Sequence, residues 1–530
     1  MIGKTGWTLA ALALSLCVVL PLLVVASSWL NSEWQVWQHL YETILGHLLV
    51  NTFILMVGVG SGVLVIGTGL AWLTAMCRFP GQKFFDWALI MPLAIPGYVL
   101  AFTSLGFLDF GGPVQGWLTS QFGPKGYWFP NIRSPLGVVS ILSLVLYPYV
   151  YLLAREAFLA QGQRMMDASR ALGRNAWGAF FYAAFPMARP AIAVGVSLAV
   201  MEALADFGAV SIFNFDTFTT AIYKSWFGLF NLNAAAQLSS LLLIFVLSAI
   251  TVERAMRGKA RYFGGDAGNP WRIQLSGWHA GVAVFACGFI FFLAFFLPMG
   301  QLLIWAVQQL DRDLDTRYWQ LLQHTLMLGG LAALLTTAAA LILGVAHRRS
   351  PSPVTMGAIR LATLGYALPG SVLAVGTMIT LAQLDRWNRQ WEIGVVLTGS
   401  VVGLLFAYGV RFLAVAHGPV ESGLERVRPS MVEAAQCLGS SGWGIIRRVY
   451  LPILRPSLLT AILLVLIEVM KEMPATLLLR PFGWDTLSVR IFEMTSEGEW
   501  QRAALPAVTL VLAGLLPVVL LIKKSGKRKR

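Results

Sequence analysis

Long apolar runs alternate with short polar segments along the whole chain. They lie at roughly 7–30, 48–76, 84–108, 134–154, 190–212, 233–253, 277–306, 322–346, 357–383, 391–416, 456–480 and 503–522. Most exceed the ~18 residues that mark a transmembrane helix, so the pattern predicts about twelve spans. Three are interrupted: the third by Pro92 and Pro96, the ninth by Pro369, the eleventh by Glu468, Lys471, Glu472 and Pro474. Such breaks persist in membrane helices where neighbours satisfy the freed backbone groups. The first run has only Lys4 ahead of it and a poor cleavage site at Val25–Ala26–Ser27. It reads as a retained helix, longer than a secretory signal core.

The charges sit between the runs. With the N-terminus in the cytoplasm, 27 of the 39 Lys and Arg fall in cytoplasmic segments and 10 in the opposite loops. Basic residues mark the cytoplasmic side, so both termini are expected there. The basic tail Lys523–Arg530 reads as an anchor that attracts anionic membrane lipid. Composition agrees: 57% of the 530 residues are apolar and 12% charged, half the charge of a soluble domain. The net charge of +14 thus needs no nucleic acid partner. Cys17, Cys77, Cys287 and Cys437 are scattered through the chain and form neither a metal motif nor a disulfide framework.

The chain repeats itself. Residues 167–190 read DASRALGRNAWGAFFYAAFPMARP and residues 433–456 read EAAQCLGSSGWGIIRRVYLPILRP. An offset of 266 pairs Gly173 with Gly439, Trp177 with Trp443, Pro186 with Pro452, Glu202 with Glu468, and Asp206 with Glu472. With small gaps, Asn51 aligns with His324, Pro96-Gly97 with Pro369-Gly370, and Asp216-Thr217 with Asp485-Thr486. The expected organisation is an N-terminal half, 1–265, and a C-terminal half, 266–530, each with about six spans. An even number of spans makes the halves parallel repeats about the membrane normal, with the pathway expected between them.

Both copies of the repeated loop, 167–190 and 433–456, fall on the cytoplasmic side. Gly173 and Gly439 permit a turn that a Cβ resists, and Pro186 and Pro452 are expected to break the helix before the chain re-enters the membrane. A single interfacial helix of this kind would be read as packing; two with the same spacing point to docking of a paired partner. These residues resemble the EAA loop of ABC importer permeases. The second copy matches through Glu433, Ala434, Ala435, Gly439, Leu451 and Pro452, with Val449 in place of Ile. The first keeps Ala168, Gly173 and Pro186, with Asp167, Ser169, Ala183 and Phe185 as departures. The resemblance implies a type I ABC importer permease, all-α and polytopic, in a bacterial inner membrane. It implies two copies of a cytoplasmic ATPase carrying the ATP and Mg, with no cofactor on this chain, and a periplasmic substrate-binding protein.

No ATP site is legible in the chain: Gly3-Lys4-Thr5 lacks the upstream glycine of a phosphate-binding loop, and Asp206-Phe207-Gly208 stands without other kinase signatures. Gly58, Gly60 and Gly62 read as helix-contact residues. No clustered nucleophile or acid–base constellation suggests an enzyme. A secondary transporter would also accommodate twelve spans, but it has no need of the loop pair.

Glu202 and Asp206 lie four apart in the fifth span, as do Glu468 and Glu472 in the eleventh, a spacing that shares one helix face. Carboxylates in a bilayer default to a functional role; the structural alternative is an ion pair at a helix end, with Lys471 or a cytoplasmic Arg neutralising one acid. As pathway groups they would suit a hard cation held transiently, with no stable metal site, although Lys471 runs against a purely cation-attracting path. Met201–Phe213, continuing to Thr220, resembles the fused, double-length permeases of bacterial ferric-iron importers, which implies ferric iron as cargo. Related permeases carry thiamine, polyamines or sulfate.

Overall fold

A computed structural model describes residues 4–31, 33–123, 126–160, 178, 180–257, 272–392, 394–440 and 443–527. Among them, nine helices are long and apolar enough to cross a membrane. Two bent pairs bring the number to eleven: Gln82–Ala94 with Gly97–Phe122 turns by 94°, and Pro353–Ala367 with Gly370–Gln390 by 117°. Both bends fall at the Pro-Gly pairs flagged in the third and ninth runs. The helix Ala504–Lys527 accounts for the twelfth run. Among the described residues, the fold is all-α apart from a two-residue parallel pairing of Cys77–Arg78 with Ile273–Gln274.

The tenth run is displaced from its expected place. Its helix is Val401–Leu424, not 391–416. The Asp385 carboxylate accepts the N–H groups of Leu397 and Thr398 at 2.7 and 2.8 Å, and the Ser400 hydroxyl accepts the Gly403 N–H at 3.2 Å. These side-chain bonds hold the preceding residues out of the helix and cap its first turn.

Packing divides the described chain differently from the sequence repeat. One compact unit comprises Met1–Gln38, Ala221–Leu243 and Leu314–Arg490; the other comprises His39–Thr220, Ile244–Asp313 and Ile491–Arg530. In the first unit, the Thr316–Arg349, Val401–Leu424 and Leu451–Lys471 helices pack together, and Lys4–Ser27 from the other half of the sequence joins them. Ala11, Val18 and Val25 of that helix are fully buried. A Cβ on Gly376 would lie 2.6 Å from the Pro21 carbonyl oxygen, so backbone meets backbone there.

The second unit is built on the equivalent three helices, Leu45–Met76, Pro135–Ala160 and Phe185–Ala205. Gly58, Gly60 and Gly62 do mark helix contacts: a Cβ would come within 2.8 Å of Val139, 3.2 Å of Val200 and 2.9 Å of the Ser143 Cβ, respectively. In a bilayer, close van der Waals approach through small residues drives such association. Gly195 meets backbone, its Cβ position lying 2.7 Å from the Val150 Cα and 3.0 Å from the Tyr149 carbonyl oxygen. Backbone cannot rotate away as a side chain can. Gly195→Leu is therefore expected to destabilise by about 1–3 kcal/mol or more, read as a lower unfolding temperature in detergent. An unchanged transition would show that the helices separate without cost.

Candidate functional site

The second copy of the repeated loop is built by a short helix, Pro429–Cys437, none of whose residues is buried. Its C-terminus is closed by the Gly439 turn. Gly439 has φ +78°, its N–H donates to the Gln436 carbonyl at 2.9 Å, and the Ser440 N–H donates to the Ala435 carbonyl at 2.9 Å. This is the paired bonding of a Schellman cap, which requires a left-handed residue at this position. The turn presents Leu438 and, beyond it, Trp443, 84% and 71% exposed. Glu433 and Ala434 are also exposed and Ala435 is half-buried.

The base of the loop is anchored. Val427, Ile445 and Tyr450 are buried in the core that also holds Leu424 and Leu454, with Val432 of the exposed helix packed against it. Arg348 donates to the carbonyl of Val427 at 2.9 Å and to that of Leu424, satisfying the open C-terminus of the preceding span. The result is a rigid base under an exposed apolar and acidic tip, a shape suited to seating in another protein.

Pro186 and Pro452 do not break the helix. Each lies at the start of a long helix, Phe185–Ala205 and Leu451–Lys471, preceded without interruption by one π-helical turn, Phe180–Ala184 and Ile446–Tyr450. The two turns sit at the 266-residue offset. A proline lacks an N–H and crowds the carbonyl four residues back; the wider π turn absorbs both. In the first copy, Phe180 is held among Trp72, Phe158 and Phe185 at centroid distances of 4.7, 6.3 and 5.8 Å. Asp167, Ala168 and Gly173 lie outside the described residues.

The carboxylates are placed differently from the helical expectation. The helices end at Ala205 and Lys471, between the members of each pair, so Glu202 does not share a helix face with Asp206, nor Glu468 with Glu472. Asp206 and Glu472 have extended backbone, with φ/ψ of −66°/131° and −68°/110°, and each caps the next short helix. Asp206 Oδ1 accepts the Val210 N–H at 3.1 Å, and Glu472 Oε1 accepts the Ala475 N–H at 3.0 Å. Their carbonyls accept hydroxyls in the same way, Thr219 to Asp206 at 2.7 Å and Ser488 to Glu472 at 3.1 Å. Both stand against the broken spans: a Cβ on Gly97 would lie 3.1 Å from Asp206 Oδ2, and one on Gly370 would collide with Glu472 Oε1. Asn51 donates to the Asp216 carbonyl at 2.9 Å, and His324 meets the Asp485 carbonyl at 3.3 Å. The internal repeat is thus a repeat of tertiary contacts.

The neutralising partner of Glu472 is Arg411, not Lys471. Arg411 Nε lies 3.2 Å from Glu472 Oε2, both side chains less than a tenth exposed, and Arg411 Nη1 donates to the Leu368 carbonyl at 3.4 Å. The signal was available: Arg411 is a charge inside an apolar run and needs an acidic partner. Glu202 and Glu468 are half-buried on their helices. Among the described residues, no group of three His, Cys, Asp or Glu is placed to hold a metal ion.

The family model for the inner membrane component of binding-protein-dependent transport systems matches this chain twice, at residues 65–255 and 337–529. The chain belongs to that family. The two matches make this permease a fused, double-length member, with one repeat in each half. The Haemophilus influenzae Fe(3+)-transport system permease protein FbpB 2 is 30% identical over 496 residues, 92% of each chain. The ferric transport system permease protein FbpB of Actinobacillus pleuropneumoniae is 23% identical over 82% of this permease and 63% of its own length. Among solved structures, a bacterial alginate ABC transporter in complex with an alginate-bound periplasmic protein covers 45% of this permease at 18% identity, with a TM-score of 0.35. The permease is a multi-pass component of an ABC importer of the inner membrane.

Proposed function

We propose that this permease moves ferric iron, delivered by a periplasmic binding protein, into the cytoplasm by alternating access, driven by two ATPase subunits that carry the ATP and Mg. The observation that carries the coupling is the second loop, with its capped, exposed tip on a buried base. The first loop, through Asp167, Ala168, Gly173 and Pro186, is its proposed counterpart for the other ATPase. The charge bias supports a cytoplasmic position for both loops and both termini. Ferric iron is favoured over sulfate by the carboxylates other than the neutralised Glu472, namely Glu202, Asp206 and Glu468, since carboxylates suit hard cations. The name of the Haemophilus relative, matched over nearly its full length, points the same way.

Reconstitution with the ATPase and binding protein tests this. ATP-dependent uptake of ferric iron is expected in proteoliposomes, with no comparable uptake of sulfate, thiamine or polyamine. Uptake of one of those solutes in place of iron would replace the substrate and keep the importer; uptake without ATP would make the chain a secondary transporter.

A further inference from the structure

The two repeats place one carboxylate each at the same structural position but do not give it the same charge environment. Asp206 and Glu472 both end a long helix, cap the next one, accept a hydroxyl on the carbonyl and stand against a Pro-Gly break. In the second repeat the charge is cancelled by Arg411. At the same 266-residue offset the first repeat has Val145, buried and apolar. Among the described residues, no Lys, Arg or His forms an ion pair with Asp206. Asp206 Oδ1 is held by the Val210 N–H, and the residue is half-buried where Glu472 is 6% exposed.

We infer that the repeats are functionally unequal: Asp206 is the charge that a cationic cargo meets, whereas Glu472 is a structural cap locked by Arg411. This deepens the iron reading and rests on it. A charge kept at low dielectric without a counter-ion is costly, and a passing cation offsets that cost during transport. In the second repeat the same geometry is satisfied internally, leaving no free charge at Glu472 for cargo. The duplicated architecture therefore tolerates neutralisation on one side only.

The roles separate by substitution, because a neutral side chain can keep the cap without the charge. Asn and Ser cap as well as Asp, and Glu keeps the charge and reaches the equivalent N–H in the second repeat. The measurement is the initial rate of ferric-iron uptake in proteoliposomes carrying the ATPase and binding protein. If Asp206 serves as the cargo's charge, Asp206→Asn and Asp206→Ser lower uptake at least tenfold, and Asp206→Glu retains more than either. Unfolding temperature and co-purified ATPase stay at wild-type levels in the Asn variant. The neutral pair Arg411→Gln with Glu472→Gln keeps uptake within about twofold. Wild-type uptake in Asp206→Asn would make Asp206 a cap and overturn the inference while leaving the iron reading intact. Loss of uptake in the neutral pair with assembly preserved would also overturn it. A wild-type chain that moves no ferric iron would remove the substrate reading and this inference together.

Discussion

Arg411→Met is expected to destabilise the permease by about 3–5 kcal/mol, the cost of leaving a buried carboxylate without its partner. Arg411 and Glu472 are each less than a tenth exposed, and their 3.2 Å ion pair joins three elements. Arg411 comes from the Val401–Leu424 span and reaches the Leu368 carbonyl at the break of the ninth span. Glu472 comes from the end of the Leu451–Lys471 span and caps the helix Pro474–Leu479. Removing the cation leaves Glu472 with its charge, its cap bond and no counter-ion. The combined change Arg411→Met with Glu472→Gln removes both charges and keeps an acceptor for the Ala475 N–H. It should recover most of the loss, since a neutral replacement of a buried pair is often tolerated. Thermal unfolding of the purified protein in detergent reads both. A wild-type transition in Arg411→Met, or no recovery in the double variant, would mean that the pair carries no structural weight.

Gly439→Val should leave the bundle intact and weaken the ATPase. A β-branched residue at φ +78° costs about 1–3 kcal/mol and can escape only by undoing the cap. That strain falls on a helix with no buried residue, so the unfolding temperature moves little. The tip carrying Leu438 shifts, and affinity for the ATPase is expected to fall about tenfold, the equivalent of 1.4 kcal/mol. Gly439→Asn should sit close to wild type, because Asn tolerates the left-handed region. Equal ATPase binding by the Val and wild-type proteins would show that this loop does not couple.

Much of the fold was legible because membrane helices leave a long, nearly unbroken apolar trace. The Pro-Gly pairs gave away the two bends, and the 266-residue repeat foretold that Asp206 and Glu472 would share one geometry. Three features were hidden. Hydropathy cannot show partners, so nothing in the run at 7–30 indicated that Lys4–Ser27 packs with helices of the other half of the sequence. Helical periodicity was carried through Asp206 and Glu472, although acidic residues readily leave a helix to cap the next one. Pro186 and Pro452 were read as breaks, because a π turn that absorbs a proline has no sequence mark of its own. The Arg411–Glu472 pair could have been proposed from two opposite charges inside apolar runs of the same half.

The most direct test of coupling uses the native thiol on the loop itself. Cys437 ends the Pro429–Cys437 helix and is exposed, while Cys77 and Cys287 are buried; the exposed Cys17 is replaced by Ser. A membrane-impermeant maleimide is applied to right-side-out and inside-out vesicles, with and without the ATPase. Labelling of Cys437 in inside-out vesicles only, with protection by the ATPase, is the expected result. Labelling from the periplasmic side, or labelling at an unchanged rate with the ATPase bound, would contradict it.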